Sequence, residues 1–146
     1  MIDNLTLEQQ ACNFHTMRHI EKVRNYLNLV IVKLLKRGEA HDQSKLQSPE
    51  VEAFTEVTPV LNKLTFGSSE YEENKKKLGD ALNHHYANNR HHPQFHKNGV
   101  DDMTLLDLIE MIVDWKAASE RHNDGNIRKS IEKNVNDFNI SSQLIR

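Results

Sequence analysis

Apolar side chains recur every three or four residues along most of the chain, which is the periodicity of one face of an α-helix. The clearest run lies between residues 20 and 34 and consists of Ile20, Val23, Leu27, Val30, Ile31 and Leu34. No stretch alternates between polar and apolar residues for long enough to predict a strand. The pattern therefore predicts an all-α fold, a single compact helical bundle of about five to seven helices that spans residues 1–146 as one domain.

Residues that start and stop helices set the first expected boundaries. Thr6 and Gln9 have the spacing of a capping box, which predicts the start of a first helix over residues 7–36. The segment Ser48-Pro49-Glu50 is typical of a helix start, because serine, proline and an acidic residue favour the first positions of a helix. Thr58-Pro59 is expected to interrupt this second helix.

The second half of the chain continues the helical pattern. Ser69 is the predicted N-cap of a helix that extends to about residue 87. Asp102 is the predicted N-cap of a helix over residues 103–122. A turn at residues 123–126 separates this helix from a last one, whose apolar face is formed by Ile127, Ile131, Val135 and Phe138.

Composition narrows the classes of function. The formal net charge is -2, so the overall charge gives no reason to expect nucleic acid or an anionic membrane as a partner. The N-terminal sequence has neither an apolar run nor a basic start, and the apolar stretch at residues 29–32 is too short to span a bilayer. The single cysteine, Cys12, excludes an intramolecular disulfide and is typical of a reducing compartment. We therefore expect a cytoplasmic protein.

Nine histidines make this composition unusual, and one of them precedes an aspartate. His41 and Asp42 offer an imidazole nitrogen and a carboxylate in one short segment, a mixed set that suits Mn, Fe, Co, Ni or Zn. Lys45 adds a compact positive charge suited to a phosphate oxygen. Additional candidate metal ligands lie elsewhere in the chain: His19, His84, His85 and Asp114.

Asp114 is a candidate because of its surroundings in the sequence. It lies between Val113 and Trp115, in the most apolar part of the predicted helix, where an unpaired carboxylate would be costly. A metal ion or another cation would remove that cost. An ordinary solvent-facing stripe on this helix is the alternative.

The polar segment at residues 88–93 is predicted to be a loop, since Pro93 disfavours helix at the preceding residue. A solvated loop is the simpler interpretation. Binding groups concentrate on loops held by a rigid scaffold, however, which favours contact with a substrate. The residues predicted to bind the substrate are Lys45, Asn89, Arg90, His91, His92, Arg121 and His122.

The order His19, His41-Asp42 and Asp114 resembles the H…HD…D signature of the HD-domain metal-dependent phosphohydrolases. Residues 41–45, HDQSK, are similar to the HD-x-G-K form of that signature, with serine in place of glycine. His84-His85 and the loop that follows resemble the HD-GYP branch, although the Gly-Tyr-Pro triplet is absent. The whole chain is also similar to a little-characterised phage and bacterial family that shares HD-x-SK, HHY-x-N-N-x-HHP and DWKAA motifs.

This resemblance implies a bundle of the HD-domain type. It also implies a metal-dependent phosphohydrolase that acts on a nucleotide or another small phosphoester through a metal-activated water. Asp42 and Lys45 would be catalytic, and one or two divalent ions would be held by His19, His41, Asp42, His84, His85 and Asp114. Asp107 or Glu110 could orient the ligand histidines.

Two other classes of function are also compatible with the sequence. The first is a non-catalytic module of the same fold that binds a metal and a nucleotide. The second is a helical interaction protein with a structural metal, which is disfavoured because structural zinc sites prefer cysteine and Cys12 is alone. The sequence does not predict an oligomeric state.

Overall fold

The structure is a computed structural model, and it describes residues 5–121 and 126–145. These residues form helices and no strand, so the predicted all-α fold is confirmed. The α-helices are α1 Leu7–Ala40, α2 Glu50–Leu61, α3 Ser69–Lys75, α4 Gly79–Asn88, α5 Leu105–Ser119, α6 Ile127–Phe138 and α7 Ser142–Ile145. Short 3-10 helices cover Gln43–Leu46, Lys76–Leu78, Pro93–Phe95 and Gly99–Asp102.

Capping side chains explain where α1 and α5 begin. The predicted capping box at α1 is confirmed, with Thr6 N–H donating to Gln9 Oε1 at 2.9 Å and Gln9 N–H donating to Thr6 Oγ1 at 3.3 Å. The prediction that Asp102 caps α5 was wrong. Thr104 caps it instead, because its hydroxyl accepts from the Asp107 backbone while the Asp107 carboxylate accepts from the Thr104 N–H.

Two other expected boundaries also differ from the structure. Helix α2 continues through Pro59 to Leu61, since a missing N–H near the end of a helix removes only one hydrogen bond. The helix predicted from residue 69 is divided by a 3-10 turn, and α4 then begins at Gly79, whose φ of 49° favours glycine. Residues 123–125 of the turn predicted at residues 123–126 lie outside the described residues.

The contacts within the chain divide it into two compact units, with the boundary between Glu39 and Ala40. The first unit consists of α1 up to that boundary, and the second contains the remaining helices. The expectation of a single domain stays a prediction. None of the helices in the described part of the chain is long and apolar enough to cross a membrane.

The hydrophobic core of the second unit lies against one face of α5. Its buried residues are Val100, Met103 and Met111, and the partly buried side chains packed on them are Leu108, Trp115, Phe138 and Ile140. The rings of Trp115 and Phe138 are stacked with centroids 6.2 Å apart, which joins α5 to α6. Because Leu108, Met111 and Trp115 anchor one stripe of α5, the neighbouring stripe is held in a defined orientation.

Candidate metal centre

A tight turn after α1 places the His41-Asp42 pair. Asp42 has a φ of 55°, in the left-handed region that aspartate adopts more readily than most residues. The 3-10 helix Gln43–Leu46 follows at once, with the Lys45 N–H donating to the Asp42 carbonyl at 2.9 Å. Lys45 Nζ also lies 2.6 Å from Asp42 Oδ2. The turn therefore brings a carboxylate and a cation together beside an imidazole.

Helix α4 and the loop after it supply three more imidazoles. His85 lies near the C-terminal end of α4 and is only 2% exposed. The chain then reverses, with the His92 N–H donating to the Asn89 carbonyl at 3.2 Å. Pro93 follows, and His92 is extended as the residue before a proline prefers. As a result, His92 Nε2 lies 2.8 Å from His85 Nε2, and the His91 ring lies 4.1 Å from the His92 ring.

Helix α5 supplies two carboxylates that are one helical turn apart, Glu110 and Asp114. His41 lies between them. Its Nδ1 is 3.0 Å from Glu110 Oε1, and its Nε2 is 3.6 Å from Asp114 Oδ1. Since residues four apart in a helix lie on the same face, a single stripe of α5 carries both groups.

Among the described residues, three groups of side chains could hold a metal ion, and one of them consists of His41, His91 and Glu110. The other two groups share Asp42. We call the first the nitrogen-rich position, which is formed by Asp42, His85, His91 and His92. We call the second the oxygen-rich position, which is formed by His41, Asp42 and Asp114. Asp42 Oδ1 lies 3.5 Å from the Nε2 atoms of both His85 and His91. Asp42 Oδ2 lies 3.5 Å from His41 Nε2. Each carboxylate oxygen of Asp42 therefore faces one position.

Two buried atoms at the nitrogen-rich position have no hydrogen-bond partner among the described residues, Asp42 Oδ1 and His91 Nε2. A buried polar atom without a partner is unfavourable and calls for an explanation such as an ion. Metal–nitrogen bonds of about 2.1 Å place neighbouring ligand atoms about 3.0 to 3.4 Å apart. The separations of 2.8 and 3.5 Å at this position are close to that range. The donor set therefore fits a divalent transition metal.

The three histidines of the nitrogen-rich position are held neutral. Burial lowers the pKa of His85, His91 and His92, and burial together with the neighbouring His91 and His85 lowers the pKa of His92 to about 3. Burial raises the pKa of Asp42, but Lys45, His41 and His85 together outweigh it, so that the pKa falls below its usual value. Near neutral pH, the imidazoles therefore carry lone pairs and Asp42 carries its charge, which is the state a metal requires.

The pKa of His41, at the oxygen-rich position, is shifted in the opposite direction. The Asp114 carboxylate is the main cause that raises the pKa of His41 to about 9, with Glu110 and Asp42 acting in the same direction against burial. His41 is therefore protonated near neutral pH in the absence of metal, and an ion that binds its Nε2 must displace a proton. Burial raises the pKa of Asp114, but His41 and His91 together outweigh it and lower the pKa.

A pH-dependent proton release is expected from this difference. Binding of an ion at the oxygen-rich position should release about one proton at neutral pH and few protons at pH values above the pKa of about 9. Titration calorimetry in buffers with different ionisation enthalpies measures this number. The prediction is contradicted if proton release at that position is as small at neutral pH as it is in alkaline buffer.

Not every predicted ligand lies in these groups. His84 is in neither of them, and its Nδ1 lies 2.7 Å from Glu50 Oε1. His19 lies on α1 in the first unit, so its role as a ligand stays a prediction. His91 and His92, which were expected to contact substrate, lie among the ligand atoms of the nitrogen-rich position.

The other predicted substrate-binding residues have varied surroundings. Asn89 is buried, and its amide donates to Ser44 Oγ and to the His85 carbonyl, both at 2.8 Å. Arg90 lies 3.3 Å from the buried Asp107 carboxylate. Arg121 is exposed after the end of α5, whereas His122 lies outside the described residues. The substrate contacts of these four residues stay predictions.

Sequence reasoning gave Glu50 no functional role. It is fully buried at the start of α2, and its two oxygens lie 2.7 Å from His84 Nδ1 and 2.8 Å from His85 Nδ1. In the sequence, Glu50 has the ordinary position of an acidic residue in the first turn of a helix. No local pattern distinguishes it from such a residue, because its two histidine partners lie more than thirty positions away.

Comparison with known proteins places the chain in a family. A sequence model described as "Family of unknown function (DUF5662)" matches residues 8–144, so the chain belongs to this family. No curated protein matches the chain, and no solved structure matches it.

Proposed function

We propose that this member of the DUF5662 family is a metal-dependent phosphohydrolase that acts on a nucleotide or another small phosphoester. The observation that carries the proposal is the pair of buried ligand atoms without partners, Asp42 Oδ1 and His91 Nε2, at the centre of the candidate metal centre. The resemblance of the His41-Asp42 and Asp114 pattern to HD-domain enzymes supports the class of reaction and of substrate.

In this proposal the ligands are those of the two positions defined above, with His91 and His92 taking the place expected for His84. Bound divalent ions would lower the pKa of a coordinated water and neutralise charge on phosphoryl oxygens. Asp42 contributes one oxygen toward each position, so it links the two groups of ligands. The buried His85 and His91 restrict access of bulk water from their side of the centre.

Lys45 is the cation that we expect to contact the phosphoester. Its ammonium lies beside Asp42 and 5.1 Å from the centre of the Phe54 ring, while its side chain is still 30% exposed. A cation that is fixed on one side and open to solvent on the other can bind an incoming anionic group. Positioning and charge neutralisation dominate the catalysis of phosphoryl transfer, so this contact matters for rate.

Replacement of Lys45 should therefore separate catalysis from metal binding. We expect Lys45→Met to retain the metal content of the wild type, because methionine still packs on Phe54 and lysine is not a ligand. Its kcat/KM should fall by about 100-fold, because removal of one donor that stabilises developing charge typically lowers the rate by this factor. Metal analysis and steady-state kinetics on the same preparation measure both effects. Lys97→Met, at an exposed residue, is the control. Loss of metal in step with activity would contradict the assigned role.

Metal analysis followed by a substrate screen tests the function itself. The purified protein is analysed for transition metals, and its turnover of nucleotides and simple phosphomonoesters is measured with added manganese. Metal with turnover supports the phosphohydrolase. Metal without turnover, together with nucleotide-dependent thermal stabilisation, would support the non-catalytic binding module instead. The proposal would be contradicted if the protein bound none of manganese, iron and zinc when each metal was added in excess.

A further inference from the structure

A carboxylate on α5 contacts one histidine from each of the two metal positions. Glu110 Oε1 lies 3.0 Å from His41 Nδ1 and 3.2 Å from His91 Nδ1. The Glu110 side chain is only 14% exposed, and that of His91 is 2% exposed. The two imidazole rings lie against each other with centroids 4.4 Å apart. One oxygen atom is thus shared by two rings that approach it from neighbouring directions.

This contact determines which nitrogen of each ring faces the metal positions. An ionised carboxylate can only accept, so the hydrogen bond of 3.0 Å requires a proton on His41 Nδ1, and we infer the same for His91 Nδ1 at 3.2 Å. The Nε2 atoms then point away from Glu110. His41 Nε2 lies 3.5 Å from Asp42 Oδ2 at the oxygen-rich position, and His91 Nε2 lies 3.5 Å from Asp42 Oδ1 at the nitrogen-rich position.

Glu50 contacts two histidines in a different arrangement. Its oxygens are divided between neighbouring residues of α4, with Oε1 at 2.7 Å from His84 Nδ1 and Oε2 at 2.8 Å from His85 Nδ1. Only His85 belongs to a metal position, because His84 is in neither ligand group. Glu50 therefore orients a ligand of the nitrogen-rich position alone.

We propose that Glu110 is the positioning residue that orients one histidine ligand at each ion position and so couples the two positions, whereas Glu50 acts on the nitrogen-rich position only. The inference rests on the proposed metal-dependent function. Outer carboxylates that accept from a ligand histidine fix its tautomer and its ring orientation. Because Glu110 acts on two rings that belong to different positions, its loss reaches both ions.

A purely structural role for these carboxylates makes a different prediction. If Glu110 and Glu50 only stabilise the fold, their replacement lowers the melting temperature of the metal-free protein and leaves the affinities of the folded protein unchanged. If they position ligands, the affinities change even in variants whose metal-free form melts near the wild type. Metal affinity measured by calorimetry therefore separates the two roles without any assay of activity.

The test compares Glu110→Gln with Glu50→Gln. Glutamine keeps the length of the side chain but removes the negative charge beside the two imidazoles. Metal-free proteins are titrated with zinc(II) and, separately, with manganese(II). With either metal, we expect Glu110→Gln to weaken binding at both positions by about 10- to 100-fold. Glu50→Gln should weaken binding by a similar factor at the nitrogen-rich position only. Melting of each metal-free protein is measured in parallel.

Two exposed glutamates serve as controls, one on the helix that carries Glu50 and one after the helix that carries Glu110. Glu52→Gln on α2 and Glu120→Gln after α5 should bind both ions as the wild type does. A wild type with two ions and a Glu110→Gln variant with one or both affinities unchanged would overturn this inference alone. A wild type that binds no ion would overturn the proposed function and this inference together.

Histidine tautomers in the zinc-loaded wild type provide a measurement that needs no variant. Long-range proton–nitrogen correlation spectra distinguish a ring that is protonated at Nδ1 from one protonated at Nε2. We expect His41 and His91 to be protonated at Nδ1, with Nε2 bound to zinc. Zinc on the Nδ1 atom of either ring would overturn the inference even if Glu110→Gln failed to fold.

Discussion

Asp42→Asn should lose both ions, and any phosphohydrolase activity should fall by more than about 100-fold. Loss of a metal ligand should have a larger effect than loss of a residue that only hydrogen-bonds to a ligand. Of the residues that the structure describes, Asp42 alone belongs to both positions, and it offers one oxygen to each, at 3.5 Å from His41 Nε2 and from His85 Nε2. Asparagine is a sharper replacement than alanine, because it tolerates the φ of 55° at this residue. Elemental analysis after metal loading and desalting measures the loss.

A matched control uses an aspartate of the second unit that lies away from the ligand groups. Asp101→Asn changes the same functional group at an exposed residue of the Gly99–Asp102 turn, and should keep both ions. Asp42→Asn with one ion retained would mean that Asp42 does not bridge the two positions. Asp42→Asn with both ions retained would contradict the assignment of the metal centre.

His85→Gln should lose the ion of the nitrogen-rich position and keep the other one. His85 is 2% exposed, and its Nε2 lies 2.8 Å from His92 Nε2 and 3.5 Å from Asp42 Oδ1. Because the oxygen-rich position uses His41 and Asp114, it does not depend directly on His85. Bound metal should therefore fall by about half, while activity falls by more than about 100-fold if both ions take part in the reaction.

The neighbouring residue provides the control for this variant. His84→Gln makes the same change on the same turn of α4, where the imidazole is half-exposed and contacts Glu50. It should keep both ions, since His84 is in neither ligand group. If His84→Gln loses metal and His85→Gln does not, the ligand assignment on α4 is the reverse of the one proposed. Metal content of the two variants, measured beside the wild type, decides between them.

Helix-forming features are local, which is why much of the architecture could be predicted. The three- and four-residue spacing of apolar side chains predicted an all-α fold, and the capping box at Thr6 and Gln9 marks the start of α1. Errors occurred where local signals competed. Asp102 and Thr104 are both good N-caps, and only Thr104 has Asp107 three residues later to complete a capping box. Pro59 was expected to interrupt α2 but lies too near its end to do so.

The candidate metal centre was partly visible in the sequence. His41, Asp42 and Asp114 could be named as candidate ligands because the first two are adjacent and the third is an aspartate in an apolar helical segment. The tertiary structure brings these three together, with His41 Nε2 at 3.5 Å from Asp42 and 3.6 Å from Asp114. A carboxylate or an imidazole in such a segment needs a polar or charged partner, and this need already limited which groups could surround these residues.

Other parts of the centre depend on how the chain folds back. The choice of His85 over His84 follows from the direction in which α4 packs against Glu50, since adjacent helical residues point about 100° apart. His91 and His92 reach the centre because the chain reverses after Asn89. Spacing along the sequence does not report such a reversal.

By itself, then, the sequence determined the helical class, the start of α1 and three of the candidate metal ligands, His41, Asp42 and Asp114, because each of these depends on neighbouring residues or on side-chain chemistry. The tertiary structure alone decided which nitrogen of each histidine faces Asp42 and which carboxylates lie behind the rings. Glu110 and His41 are separated by 69 positions in the chain, yet they share a hydrogen bond. Such contacts arise from the packing of α5 against the turn at His41, and no local pattern encodes them.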